Sequence, residues 1–257
     1  MKKMCQRMIN NIIANFSSKL WSLISVVIFI PYYIKFLGFE SYAIISFSLV
    51  IYGVITVLDS GLTSTLSREL ARIDMNLSKK MRTFDSLQTI YFLIAILVVL
   101  FLLVFSTQIG QFFIKSESFS LEKTSLFIRL FAVDIGLQML FRFQLGGLLG
   151  LEKQVLANVI LSLWILFRNG LVILVIYYSN NLESFFIWQS IVTFCFTVYA
   201  IFILNSKFKG SFSLSLIIDR IELRRVYKFA FGMLLISIVA ILNSQLDKLR
   251  TTFDLEF

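Results

Sequence analysis

The sequence predicts an all-α integral membrane protein with about seven transmembrane helices, and three observations predict it. Apolar residues make up 58% of the 257 residues, whereas charged residues make up 15%. The mean hydropathy is +0.85, which is far higher than the water-covered surface of a soluble domain permits. The charges are bunched, and the apolar runs between them reach about 18 residues or more, enough to cross about 30 Å of hydrocarbon as a helix.

Seven spans follow one another along the chain, each ended by charged or turn-forming residues. Helix is the expected form, because backbone polar groups in lipid must be satisfied within their own segment. Pro31, the single proline, removes one backbone hydrogen bond and predicts a kink in the first span. The predicted spans are 12–36, 42–66, 87–113, 121–149, 155–178, 185–204 and 227–246.

The longest connection is rich in basic residues and separates six spans from the seventh. We interpret residues 1–205 as a first six-helix transmembrane bundle and residues 206–226 as a basic cytoplasmic linker. Residues 227–249 are then the first helix of an incomplete second bundle. The last residues, 250–257, do not continue the apolar pattern, and we interpret them as an out-of-frame tail.

The Lys and Arg residues of the connections lie almost all on one side of the predicted bundle. Only Lys35, Lys115 and Lys123 fall on the opposite side. Because Lys and Arg collect in cytoplasmic loops, the sequence predicts a cytoplasmic N-terminus. The loops on the other side are short and leave no room for a catalytic ectodomain.

Several classes of active site are excluded by composition. The chain has no histidine, which excludes Ser-His-Asp and Cys-His nucleophile pairs, HExxH zinc sites and haem ligation by histidine. Cys5 and Cys195 lie far apart and form neither a disulfide framework nor a metal-binding spacing. The net charge of +9 follows from the basic loops, so no nucleic-acid partner is expected. We expect no enzyme, no metal and no cofactor, with H⁺ or Na⁺ as an open question for energy coupling.

Ionisable residues inside the spans are the candidate functional residues, because each costs about 2.5–3.5 kcal/mol at the centre of a membrane helix. Arg168 lies in the fifth span with apolar residues on both sides. Asp134, Gln138 and Arg142 follow at i, i+4 and i+8 in the fourth span, so they share one helical face. These residues either line a hydrated cavity, which we favour, or anchor one helix to another by hydrogen bonds.

Two further polar patches lie in the first two spans. Asp59 opens a patch of small hydroxyl residues in the second span, where a polar cavity and close helix packing are equal alternatives. Asn15 and Lys19 belong to a polar face on the first span. Arg129 is a weaker candidate, because it lies near the end of its span and is able to snorkel to the headgroups. Basic groups and hydroxyls among helices suit a phosphate-bearing amphiphile, which arginine binds through paired N–H donors.

The order of several motifs resembles one transporter family. The segment Pro31-Tyr-Tyr-Ile-Lys-Phe-Leu-Gly38-Phe-Glu-Ser-Tyr42 is similar to the first loop of polysaccharide flippases. The segment Leu58-Asp59-Ser-Gly61 through Arg68-Glu69-Leu-Ala71 resembles their second helix. Lys228-Phe-Ala-Phe-Gly-Met, with Asn243-Ser-Gln-Leu-Asp247-Lys248-Leu249, resembles their seventh helix. The family is the Wzx-type flippases of O-antigen and capsule repeat units, within the superfamily of multidrug and oligosaccharidyl-lipid exporters.

The resemblance implies two helical bundles around a central cavity in the bacterial inner membrane. It implies movement of an undecaprenyl-diphosphate-linked oligosaccharide across that membrane by alternating access. The expected partners are this lipid-linked substrate, the membrane lipids, and the polysaccharide polymerase and chain-length regulator of the same pathway. Cavity arginines would face the diphosphate or acidic sugars, and Asp247 and Lys248 are secondary candidates on the seventh helix.

The chain has about half the spans of this family, so the resemblance predicts a C-terminally truncated member. Three other functions remain open beside the flippase. One is export of a drug or another small solute within the same superfamily. The second is a membrane-embedded polymerase or glycosyltransferase, which the short outer loops disfavour. The third is a non-catalytic scaffold or a non-functional truncated membrane protein.

Overall fold

The computed structural model describes residues 2–113, 119–207 and 219–254. Within these ranges the chain is helical, with short turns between the helices and no strand. The expectations for Lys115, for most of the basic linker and for residues 255–257 lie outside the described residues. The helices are α1 (Lys2–Leu37), α2 (Phe39–Ala71), α3 (Leu77–Val104), α4 (Ser106–Phe113), α5 (Leu121–Gly150), α6 (Gln154–Ile165), a π-turn (Leu166–Gly170), α7 (Val172–Ser179), α8 (Leu182–Lys207) and α9 (Arg220–Asp254).

Six of these segments are long and apolar enough to cross a membrane, which confirms an all-α architecture of the multi-pass membrane type. They are Ile9–Leu37, Phe39–Val57, Leu77–Val104, Leu121–Gly150, Gln154–Ser179 and Leu182–Ser206. The predicted seventh span lies on α9, and its role as a span stays a prediction.

The helix α5 is the centre of the bundle. The most apolar stretch of α5 is 67% buried, whereas that of α1 is 11% buried. The neighbours of α5 are α2, α3, α4, α6 and α8, while α1 packs mainly against α6, with smaller contacts to α2 and α7. The polar stripe predicted on the fourth span is therefore surrounded mainly by protein, with Asp134 and Gln138 buried and Arg142 half-buried.

Two predicted spans differ from the simple helices that the sequence indicates. The third span is divided at Phe105, where α3 ends and α4 begins. At this break the hydroxyl of Ser106 donates to the carbonyl of Leu103 at 2.9 Å and competes with backbone bonding. The fifth span is interrupted by the π-turn. By contrast, α1 continues as one helix through Pro31.

The helix α9 lies along α2. A Cβ atom on Gly61 would lie 2.6 Å from the carbonyl oxygen of Ala230, so only glycine permits this approach. The hydroxyl groups of Ser60 and Ser237 are hydrogen-bonded across the same contact. The guanidinium of Arg68 lies 4.2 Å from the centroid of the Phe229 ring. Within the described residues, α9 is therefore packed on the first bundle over several turns.

A charged cluster fixes the beginning of α9. Arg225 contacts Glu69 of α2 at 3.0 Å and Glu222 of its own helix at 2.7 Å. It also donates to Thr83 of α3 at 3.2 Å. Glu69 and Glu222 are buried. We call Glu69, Thr83, Glu222 and Arg225 the basal charge cluster, and it joins α2, α3 and α9 at one end of the bundle.

The loop between α2 and α3 carries a second, exposed ion pair at the same end. Arg72 contacts Asp74 at 2.6 Å, and this guanidinium lowers the pKa of the Asp74 carboxyl to about 2. The Asp74 carboxylate therefore stays charged at neutral and mildly acidic pH.

Candidate functional site

A buried ion pair joins α5 to the π-turn. Arg168 donates from both terminal nitrogens to the two carboxylate oxygens of Asp134, each at 2.7 Å. The two side chains are 11% and 4% exposed. Arg168 also donates to the hydroxyl of Thr193 in α8 at 2.8 Å, and Gln138 donates to Asp134 at 2.8 Å. We call Asp134, Gln138, Arg168 and Thr193 the polar core.

The π-turn positions Arg168 and shifts the backbone bonding, so that the N–H of Leu171 donates to the carbonyl of Leu166, five residues back. A carbonyl displaced from α-helical bonding in a membrane helix takes another donor where one is in reach. Side chains of α1 and α8 provide donors here. The carbonyls of Phe167, Arg168 and Asn169 accept from Trp188 Nε1 at 3.1 Å, Gln189 Nε2 at 3.2 Å and the Tyr33 hydroxyl at 2.7 Å, respectively.

A small cavity lies beside the polar core. Its volume is about 80 Å³, and Arg168 and Gln189 line it. This volume is large enough for a water. The Oε1 atom of Gln189 is buried and has no hydrogen-bond partner among the described residues. Arg168 thus anchors two helices and also borders a small cavity of mixed lining.

Arg142 has different surroundings from Arg168. It lies two turns further along α5 than Asp134, and it is half-buried. Its guanidinium lies 4.8 Å from the centroid of the Tyr52 ring in α2. Among the described residues, no carboxylate forms a salt bridge with it. It is therefore a cation inside the bundle whose close partner is an aromatic face.

The contact between α2 and α5 is exceptionally close. A Cβ atom on Gly146 would lie 2.5 Å from the side chain of Thr63. A Cβ atom on Gly150 would lie 2.6 Å from the carbonyl oxygen of Ser67. From the first contact to the second, the residue number rises by four in α2 and by four in α5. The two helices therefore run in the same direction here. The glycines at the end of the fourth span therefore serve close helix packing.

Asp59 lies one turn before Thr63 on the same face of α2. Its carboxylate accepts a hydrogen bond from Thr63 at 2.7 Å, and the residue is buried. It lines a cavity of about 410 Å³ between α2, α3 and α9. Tyr91 and Tyr227 line the same cavity, whose other walls are almost entirely apolar. The helix of Asp59 packs closely on α5, as one of the two alternatives expects, whereas the cavity that its carboxylate borders is almost entirely apolar.

The polar face of α1 is an interface with the fifth span. Asn15 donates to Gln154 at 3.3 Å, and Ser18 donates to Asn158 at 2.5 Å. Interhelical bonds of this kind hold membrane helices together. Lys19 is exposed on the outside of the bundle. The structure therefore places Asn15 and Lys19 away from the polar core.

The remaining sequence candidates lie at the edge of the site or beyond it. Arg129 is exposed, and its Nε donates to Ser106 at 3.1 Å. Asp247 and Lys248 belong to α9, and their side chains lie outside the described residues.

The sequence interpretation missed several members of the site. Gln189, Thr193 and Thr197 recur every four residues in α8 and are all buried, so periodicity alone could have indicated this second polar stripe. Tyr52 carries no comparable signal, because a single tyrosine in an apolar helix is compatible with many environments.

No family model, no curated protein and no solved structure matches this chain. The function proposed below is therefore inferred from the geometry of the site.

Proposed function

We propose that the bundle binds the diphosphate group of a polyprenyl-linked oligosaccharide and moves this lipid between the leaflets of a bacterial inner membrane. The observation that carries the proposal is the environment of Arg142. It is a permanently charged group within an apolar bundle, and the described residues supply it with an aromatic ring but no salt bridge. A guanidinium in such surroundings favours an anion with paired oxygen acceptors, and phosphate has this geometry.

The two arginines have separate roles in this proposal. Arg168 already has a bidentate carboxylate partner, so it holds the bundle together and is closed to a second strong anion. Arg142 is the phosphate contact. The hydrocarbon chain of the substrate remains in the membrane beside the apolar outer surfaces of α2 and α3.

The proposed orientation places the basal charge cluster at the cytoplasmic side. The Lys and Arg residues of the connections collect at this end of the helices, and such residues collect in the cytoplasm. The chain then receives its substrate from the leaflet in which lipid-linked oligosaccharides are built. The polysaccharide polymerase and the chain-length regulator act after it on the other side.

Transfer of a fluorescent polyprenyl-diphosphate saccharide between leaflets tests the function. The chain is reconstituted in lipid vesicles, and an impermeant reductant bleaches the label exposed outside. We expect the wild-type chain to raise the bleached fraction from about half towards completion. We expect Arg142→Gln to reduce the transfer rate by about 10-fold or more, because a lost charge-assisted contact is worth roughly 1.5–3 kcal/mol.

Arg129→Gln is the matched control for this experiment. It removes the same charge from the same helix, but from a side chain outside the bundle, so the transfer rate should stay at the wild-type level. An equal loss in both variants would show a general charge effect and contradict the role of Arg142. Wild-type vesicles that bleach only half of the label would overturn the proposed function.

Export of a small apolar solute is the second candidate, and one observation favours it. The cavity that Asp59 lines has a volume of about 410 Å³ and nearly apolar walls, which falls in the range of small-molecule sites. A chain that exports a lipophilic dye but leaves the lipid-linked saccharide in place would favour this second function over the first.

A further inference from the structure

Asp59 and Arg142 face each other across the contact between α2 and α5. Thr63 touches Gly146, and the two helices run in the same direction. One turn back along each helix, the same two faces carry Asp59 and Arg142. The positive charge of Arg142 acts on the Asp59 carboxylate, although the two groups form no salt bridge.

The surroundings of Asp59 contain one charged group and several phenols. Thr63 of its own helix donates to it, and Tyr91 of α3 lies beside it. Tyr227 of α9 lines the same cavity, and Arg142 is the charged group that α5 contributes. Within the described residues, Asp59 is therefore a buried carboxylate without a close cation, and such a group in a membrane protein marks a proton or ion site.

The two charges have opposite effects on an incoming phosphate. When Asp59 is ionised, it balances the charge of Arg142 and repels an anion at the same place. When Asp59 is protonated, it no longer balances the charge of Arg142, and the anion is attracted. Any such coupling is reciprocal, so a bound anion must strengthen proton binding at Asp59 by the same factor.

We propose that a proton on Asp59 and the phosphate group at Arg142 bind this bundle cooperatively, so that protonation of Asp59 strengthens binding of the anionic lipid. The inference rests on the proposed function, because it assigns the pH regulation of the same site. Both oxygens of Asp134 accept from Arg168, so this carboxylate belongs to the ion pair of the polar core. Asp59 instead borders the 410 Å³ cavity.

Binding of a monoanionic phosphodiester of an isoprenyl alcohol tests this coupling, because the charge of this probe is constant between about pH 5 and about pH 8. Affinity is measured for the full chain in lipid nanodiscs. We expect the wild type to bind about 10-fold more tightly at about pH 5 than at about pH 8, within the usual range of coupling between two sites.

Asp59→Asn imitates the protonated carboxyl and should bind tightly at both pH values. Arg142→Gln should bind weakly at both. Glu152→Gln, which neutralises an exposed carboxylate outside the site, should keep the wild-type pH dependence. A wild-type pH dependence in Asp59→Asn would overturn the coupling while leaving the proposed function intact. A wild-type chain that binds no probe at either pH would overturn both.

Discussion

Arg168 and Arg142 show how two arginines of similar sequence context differ in the folded protein. Both interrupt apolar helices, and the sequence predicted the same cavity-lining role for them. The structure gives Arg168 a bidentate carboxylate, whereas the described residues give Arg142 the ring of Tyr52 and no salt bridge. Substitutions at the two positions should therefore have different consequences, since one breaks a buried pair and the other removes an available charge.

Arg168→Met should destabilise the bundle by about 3–5 kcal/mol, because it leaves Asp134 buried without its partner. Denaturant unfolding in mixed micelles measures the loss. The double variant Asp134→Leu with Arg168→Met should recover most of it, since a well-packed apolar pair often replaces a buried ion pair at little cost. A double variant no more stable than Arg168→Met would show that the polar core contributes through its other hydrogen bonds.

At the scale of elements, glycine determines how α2 meets its neighbours. Gly146 and Gly150 let α5 approach one face of α2, and Gly61 lets α9 approach another. Small residues permit such contacts in membranes, where apolar side chains gain little by leaving lipid. The contacts also fix the rotation of each helix, and so they place Asp59 opposite Arg142.

Gly146→Ala should cost about 1–3 kcal/mol, because the added methyl group would overpack the contact with Thr63. The intrinsic helix preference of alanine, about 1 kcal/mol, opposes this loss. Gly53→Ala is the control, since a Cβ atom at Gly53 meets nothing within 4 Å. Unfolding in micelles measures both, and equal stabilisation of the two variants would show that α2 and α5 separate easily.

Much of the element scale was predictable, and the exceptions have physical reasons. Apolar runs predicted the six long segments, because span length follows from membrane thickness. The break at Phe105 was hidden, since a serine that bonds a preceding carbonyl leaves the hydropathy unchanged. The π-turn was hidden for a related reason, because its extra residue changes the helix geometry and leaves composition as it was.

The sequence predicted which residues belong to the site better than it predicted which of them contact each other. Spacing correctly placed Asp134 and Gln138 on one face of α5, where they now share a hydrogen bond. Which arginine would meet Asp134 depends on the order of helices in the bundle, and one sequence carries no such information. The polar face of α1 was recognised, but its partner on α6 was equally beyond reach.

At the scale of the whole molecule, the basal charge cluster is one of the contacts that hold α9 on the first bundle. Arg225 joins two buried glutamates from two helices, so its removal leaves both carboxylates without their central cation. In the alternating access that we propose, separation of α9 from α2 would expose the cavity that Asp59 lines. We therefore expect loss of the cluster to favour that separation.

A disulfide between Ser60→Cys and Ser237→Cys reports this separation, with Cys5 and Cys195 replaced by serine. Arg225→Gln should slow cross-linking about tenfold. This factor corresponds to a loss of ~1.4 kcal/mol in the free energy that holds α9 against α2. Arg224→Gln, an exposed neighbour on the same helix, should leave the cross-linking rate unchanged. Equal rates in all three proteins would show that packing at Gly61 alone holds α9 in place.

The π-turn also constrains how the chain is made. A span normally enters the bilayer with its backbone bonded internally, but the carbonyls of residues 167–169 depend on donors from α1 and α8. Two of those three donors, Trp188 and Gln189, are synthesised after the fifth span, so this span leaves the ribosome before they exist. We therefore expect the fifth span and α8 to enter the membrane as one biosynthetic unit.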